Sequence, residues 1–232
     1  MPEILELIER RRSLRVPFDP DRPLPPEELA AILEAARWSP SAHNMQNFEI
    51  VVVDDPGILA QITAIERPVS ETFVRENYAQ LSFSEDELRA KKTGVMGTMF
   101  PPSWRKPDFR LSDVSEEEAA AMRRPLPSCP VLLVVVYDPS RRAPASEGDF
   151  LGIISLGCVM ENMWLAAESL GIGLHIVSSL SSGHEVKQIL GIPHDRVIAF
   201  SCRLGYPLSE PPAYVRVRRD VADFARRNRY AH

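Results

Sequence analysis

The chain has 232 residues, 44% of them hydrophobic and 25% charged, which is the composition of a globular protein long enough to bury a substantial core. Its 27 lysines and arginines against 32 acidic residues leave a net charge of −5, with a pI of about 5.6. That balance argues against a general nucleic-acid or polybasic membrane role, because phosphate backbones are held by a basic field. Three cysteines, Cys129, Cys158 and Cys202, are odd in number and far apart; a disulfide framework or zinc knuckle is excluded as the organising principle, and they are expected as small core residues.

The chain opens on an acidic amphipathic stretch, Glu3, Glu6 and Glu9 among Ile4, Leu5, Leu7 and Ile8, which is unlike a secretory leader. A helix is expected there, and the polar RRRSLR run after it leaves the helix. Leu29, Ile32, Leu33 and Ala36 recur at helical spacing behind Pro25 and Pro26, which predicts a second helix closed by Ser39, Pro40 and Ser41. The β-branched run from Phe48 to Val53, stopped by Asp54, Asp55 and Pro56, predicts a buried strand, and Ile58, Leu59 and Ile62 a short helix.

Between residues 67 and 127 the pattern loosens into helical fragments near Val74 to Leu81 and Glu85 to Lys92, a turn at Pro101 to Trp104, and an acidic helix. Ser115 with Glu118 three residues on marks a capping box for that helix. Scattered aromatics and length mark this stretch as a lid or insert. Regular structure resumes with Val131 to Tyr137, whose unbroken apolar run predicts a strand covered on both faces. Leu151 to Leu170 is a long apolar helix ended by Gly171 and Gly173. It carries Glu161, Asn162 and Glu168, so it is expected to be buried in protein and not in a bilayer. A short strand at Leu174 to Val177, a helix at Glu185 to Leu190, a strand at Arg196 to Leu204 and a helix at Val221 to Arg227 follow. Strands separated by helices without repeat or linker predict one domain over residues 1–232, α/β or α+β, in a cytoplasmic protein with reduced thiols.

Nucleophile elbows, Walker loops, zinc-protease motifs and dinucleotide fingerprints are missing, and the five histidines show no metal-ligand spacing, so no metal is expected. The remaining chemistry suits an anion. Arg11, Arg12, Ser13 and Arg15 follow the first helix, and Arg216, Arg218 and Arg219 follow the last strand; guanidinium forks pair with phosphate. Between them PSAHNMQNF, Pro40 to Phe48, offers Ser41, Asn44 and Gln46, whose amides donate and accept as a heteroaromatic ring requires. Solvated surface charge and ordinary turn chemistry are the plainer readings of the same residues.

The ordered set RRSLR, SPSAHNMQNFEIVVVDDP, a long apolar helix leading into GIGLHIVSS, EVKQILGIP, and LGYP followed by arginines resembles the nitroreductase family of flavin-dependent oxidoreductases over roughly residues 1–60 and 125–225. The resemblance implies an α+β fold, a central mixed, mainly antiparallel sheet flanked by helices, in an intertwined homodimer with sites at the interface. It implies bound FMN and NADPH or NADH as co-substrate, with Arg11 and Ser13, joined by Arg12, at the phosphate and ribityl chain and Arg15 at the ring edge as the redox-tuning residue. By the same resemblance Pro40, Ser41, Ala42, Asn44 and Gln46 are expected to reach the flavin from the other subunit, Ser178, Ser179 and Leu180 to lie over the ring, and Arg216 and Arg218 to complete the phosphate site.

The resemblance implies that no side-chain nucleophile is required and that two electrons pass through the flavin to a nitroaromatic, quinone or similar flat acceptor with ping-pong kinetics. Tyr78, Phe100, Trp104 and Phe109 are candidates for stacking on that acceptor, and His43 for proton donation, against the plainer readings of packing and a polar bystander. Two departures from the family pattern stand out. Gln46, Asn47 and Phe48 replace the common Q-P-W, and Ser178, Ser179, Ser181 and Ser182 replace a glycine-rich stretch. Reductive dehalogenation, flavin fragmentation, a non-catalytic flavin-binding module and a nucleic-acid binder remain as alternatives.

Overall fold

Val131–Tyr137 (β4) is buried along its whole length, and the sheet is built outward from it. In the computed structural model, which describes residues 3–66, 69–79, 81–96, 100–123, 126–178, 180 and 183–230, β4 pairs on one side with Phe48–Val53 (β1) and on the other with Val197–Gly205 (β6). Gly173–Val177 (β5) adds to β6, giving the order β1-β4-β6-β5. Every pairing is antiparallel, so among the described residues this sheet is not the mixed one expected. A bulge at Val135/Val136 shifts the β4–β6 register. The two ends of β4 then oppose β6 in different phase, as an extra residue in one strand requires.

The unbroken apolar run of β4 follows from the two layers that cover it. Leu133, Val135 and Tyr137 pack with Pro26–Arg37 (α2) and Phe150–Ser169 (α7), while Leu132, Val134 and Val136 pack on Pro56–Thr63 (α3) and His184–Leu190 (α8). α3 starts where Asp55 Oδ1 accepts from Ile58 N at 2.9 Å, the N-cap that follows a strand stopped by Asp-Asp-Pro. Cys129 and Cys202 are buried and all three cysteines are free, as expected for small core residues.

The inner face of α7 buries Leu156, Val159, Met163 and Ala167, while in the single chain Phe150, Ile153 and Ile154 near its start are 66%, 60% and 47% exposed. By length and apolarity alone α7 could cross a bilayer, with a third of its most apolar window buried; its inner stripe belongs to the sheet core. Glu3–Arg10 (α1) lies against α7 and leaves Ile4, Leu5 and Ile8 exposed.

The chain divides into two compact units, Met1–Glu66 with Arg124–Pro211, and Arg67–Arg123 with Pro212–His232. The first holds the sheet. In the second, Glu71–Val74 (α4) runs into a π-helical turn, Arg75–Ala79, and Ser82–Phe83 (β2) pairs with Val95–Met96 (β3) around Glu85–Lys91 (α5). Glu116–Arg123 (α6) begins with the predicted box: Glu118 N donates to Ser115 Oγ and Ser115 N to Glu118 Oε2, each at 3.1 Å. Val221–Phe224 (α9), shorter than predicted, is fastened by Lys92, which ion-pairs with Asp220 and Asp223. Tyr78, Phe100 and Trp104 pack on one another with ring centroids 4.3 and 5.3 Å apart.

Candidate functional site

The segment that leaves α1 is tied down at alternate residues. Leu14 N donates to Leu174 O of β5 at 3.0 Å and Phe18 N to Ser128 O at 3.0 Å. Ser128 Oγ donates back to Phe18 O at 2.9 Å, and Val16 O accepts from Arg203 Nη2 at 3.1 Å. Burial alternates along this segment, which bends at Val16. Leu14, Val16 and Phe18 accordingly pack with the lower core, Phe18 fully buried, and Arg15 is exposed. The close approach depends on glycine: a Cβ on Gly173 would stand 2.8 Å from Gly205 O and 2.9 Å from the Phe18 ring.

The first half of the segment leans on α7. Arg11 Nε pairs with Glu161 at 3.0 Å, its guanidinium lies 4.2 Å over the Trp164 ring, and Trp164 Nε1 donates to Arg12 O at 3.0 Å. Arg11 was expected at a phosphate; here its charge is matched by Glu161, so reaching a phosphate requires exchanging one anion for the other. Arg12 is exposed and Ser13 half-buried.

Beneath this segment lies a group that sequence inspection passed over. Arg203 is fully buried. It donates to Ser128 O at 3.0 Å, to Val16 O at 3.1 Å, to Pro127 O at 3.5 Å and to His175 Nδ1 at 2.9 Å, and stacks 4.8 Å from the Phe18 ring. Among the described residues no carboxylate pairs with it. Burial lowers its pKa to about 10, which still leaves it cationic at neutral pH. Burial, then the Arg203 and Arg15 charges, hold His175 down at about 3, so the imidazole is neutral. A guanidinium only donates, hence Nδ1 accepts and the ring proton sits on Nε2. The signal in the sequence was an arginine inside the apolar run AFSCRLG, where a charge demands a built environment.

The loop after α2 is held by strain and by α7. His43, Asn44 and Gln46 take φ of 52°, 52° and 43°, a cluster of left-handed residues without glycine. Asn44 N donates to Ser41 O at 3.0 Å, Gln46 N to Ser41 Oγ at 3.1 Å, and Gln46 Nε2 to Asn44 Oδ1 at 3.1 Å. Ala42 N donates to Ser155 Oγ of α7 at 3.1 Å, and Asn162 Nδ2 to Ser39 Oγ at 2.9 Å. The side chains of His43, Asn44 and Gln46 remain exposed, as does Pro40. Asn47 Oδ1 and both Asp149 carboxylate oxygens are buried without a hydrogen-bond partner among the described residues. Gly152 is the reason they can gather: a Cβ there would stand 2.6 Å from Asp149 Oδ1 and 2.8 Å from Asn47 Nδ2.

The other predicted positions divide. Ser178 follows β5 and is exposed; Leu180 is fully buried, which leaves its backbone as the part able to meet a ligand. Ser179, with Ser181 and Ser182, lies outside the described residues. Arg216 and Arg218 belong to the second unit, where Arg218 Nη1 donates to Val217 O at 2.7 Å. Tyr78, Phe100 and Trp104 are brought together, whereas Phe109 is fully buried; as a stacking residue it is corrected to core packing, because no face of its ring is open.

The chain is similar to known proteins along nearly all of this framework. A "Putative NADH dehydrogenase/NAD(P)H nitroreductase" of Archaeoglobus fulgidus is 26% identical over 217 residues, 92% of this chain and 91% of the relative. An "Iodotyrosine deiodinase" of Thermotoga neapolitana is 24% identical over 216 residues, 93% and 95% of the two chains. A solved nitroreductase with bound FMN from Desulfitobacterium hafniense superposes with a TM-score of 0.60 at 22% identity, over 98% of this chain and 100% of that one, a likeness of fold. The Nitroreductase family model matches residues 8–206, spanning both the segment at Arg11–Phe18 and the sheet it lies on, and the chain belongs to the Nitroreductase family.

Proposed function

We propose that this protein is an FMN-dependent oxidoreductase that moves two electrons from NADPH or NADH to a flat acceptor, a nitroaromatic, a quinone or a similar aromatic. The observation that carries the reading is the 3.0 Å bond from Leu14 N to Leu174 O, which lays the R-R-S-L-R segment along β5, directly before Ser178 and Leu180. The donor set fits FMN. Arg12, Ser13 and Arg15 supply charge and a hydroxyl for phosphate and ribityl oxygens, and Asn44 and Gln46 on the loop supply amides suited to a ring with carbonyls and nitrogens. When bound, FMN supplies the two-electron chemistry, taking electrons from the nicotinamide and giving them up in a separate half-reaction. Arg15 holds positive charge at the ring edge, where electron uptake builds negative charge. The backbone at Ser178 and Leu180 would lie over the ring when FMN is bound, and no side-chain nucleophile takes part.

The second copy belongs to the same proposal. The exposed Phe150, Ile153 and Ile154 of α7 and Ile4, Leu5 and Ile8 of α1 form apolar surface of the kind that marks an interface. A homodimer covers this surface and carries loop 40–46 to the partner's cofactor; light scattering at twice the chain mass is the expected result, and a monomer at micromolar concentration contradicts it.

The functional test is the visible spectrum of FMN-reconstituted protein during anaerobic addition of NADPH and then NADH. Protein-retained absorbance that bleaches on addition supports the reductase; FMN bound without bleaching favours a binding module, and no FMN uptake overturns the reading. Assignment of Arg216 and Arg218 to the phosphate rests on the sequence resemblance, and Arg218→Ala is expected to weaken FMN binding by about 1.5–3 kcal/mol, measured by fluorescence titration. Full-length similarity to the Thermotoga neapolitana deiodinase favours reductive dehalogenation of a halogenated aromatic as the second reading, and an acceptor screen followed by halide release separates the two.

A further inference from the structure

We propose that Arg203 is a positioning residue for the FMN-binding segment, its buried fork locking the register of Leu14–Phe18 against β5 so that Arg15 faces outward to the cofactor. The inference rests on the functional reading above for the identity of the cofactor, and on geometry for the lock itself.

Leu14, Val16 and Phe18 turn inward while Arg15 and Pro17 are exposed, and a slip of one residue would exchange the two sets. Hydrophobicity resists such a slip weakly here, because the outward set includes Pro17 and the inward set only three side chains. The polar ties are more selective. Val16 O and Ser128 O are claimed by two nitrogens of one planar group at 3.1 and 3.0 Å, and Ser128 bonds Phe18 through both its carbonyl and its hydroxyl. Arg203 stands opposite His175 in the β5–β6 pairing, and β5 in turn accepts Leu14 through Leu174. One side chain therefore ties the segment, the strand it lies on and the Pro127–Ser128 stretch before β4 into a closed set of bonds. A planar fork fixes direction as well as distance, which a lysine at the same place cannot do. His175 completes the set because its neutral Nδ1 accepts the remaining Nη2 donor; a protonated ring would present a second cation to Arg203 and Arg15.

The test uses the full chain in three forms: wild type, Arg203→Met and Arg203→Lys. Amide hydrogen exchange in the FMN-free protein and FMN affinity by fluorescence titration are both compared with global stability from urea denaturation. The lock predicts that Arg203→Met exchanges the Leu14 and Phe18 amides at least tenfold faster than its global stability accounts for, and binds FMN at least tenfold more weakly. Arg203→Lys should show the same local pattern at threefold or more, and it decides the matter where the methionine variant does not fold. A variant in which all core amides speed up together while FMN affinity stays within twofold of wild type overturns the proposal, since that is the signature of a residue that only stabilises the core. Wild-type protein that takes up no FMN overturns the functional reading first and separately; wild-type uptake with unchanged variants overturns only the lock.

Discussion

The segment Arg11–Phe18 and the loop Ser41–Asn47 carry comparable polar residues and are held by opposite means. The first is extended and takes its shape from distant partners: Leu174, Ser128, Arg203, Glu161 and Trp164. The second takes its shape chiefly from itself, through left-handed φ at His43, Asn44 and Gln46 and short-range bonds to Ser41, with a tie to Ser155. An extended peptide has no local bond to satisfy, so its order is borrowed from the core. A strained turn stores its shape locally and persists because its surroundings over-determine it. Damage to the core should therefore be felt at the first region and hardly at the second.

Gly173→Val should give the largest effect. Its Cβ meets the Gly205 carbonyl and the Phe18 ring at 2.8 and 2.9 Å, and a cost of about 3 kcal/mol is expected from overpacking, with Leu14 exchange accelerated and the Ala42 amide unaffected. Urea denaturation checks the first; a loss below about 1 kcal/mol would contradict the close approach. Next comes acid. His175 has its pKa near 3 when folded against an ordinary 6.5, so below pH 6.5 the unfolded chain binds a proton that the folded one refuses. Stability present above pH 6.5 is lost as pH falls toward 3, by about 2 kcal/mol between pH 6.5 and 5 from this group. His175→Leu should flatten that part of the profile relative to wild type; equal slopes would show that the imidazole is not held neutral.

Ser155→Ala acts on the loop and on the serine's own bond to Leu151 O within α7, and not on the segment. It leaves the Ala42 N–H without its 3.1 Å acceptor, an expected loss of about 1 kcal/mol, with exchange rising at Ala42 and not at Leu14. The smallest effect is Glu161→Gln: its half-exposed pair with Arg11 contributes about 0.5 kcal/mol, but releasing Arg11 should tighten FMN binding twofold or more. Weaker binding in that variant would mean that Glu161 orients Arg11 and does not compete for it.

Local pattern determined the elements. The period of α2, the apolar run of β4, the glycines after α7 and the box at Ser115 each depend on neighbours within a few residues, and all stand where the sequence places them. The resemblance also brought Arg12, Ser13, Arg15 and the amide loop forward as the polar residues of interest. Long-range packing decided the rest. Nothing in R-R-S-L-R says that Arg11 meets Glu161 and Trp164, since those lie a hundred and fifty residues on. Phe109 and Tyr78 look alike in sequence, yet only a folded second unit makes one core and the other part of a ring cluster. The uncovered face of α7 was hidden because an apolar helix is apolar whether or not its partner is in the same chain. Arg203 was hidden because a strand shows the alternation of its side chains and not the carbonyls of other segments that converge on them. The sequence by itself determined which residues form helices and strands, since propensity and period are local; the tertiary structure alone decided which polar groups meet, because hydrogen-bond partners are chosen by distance in space.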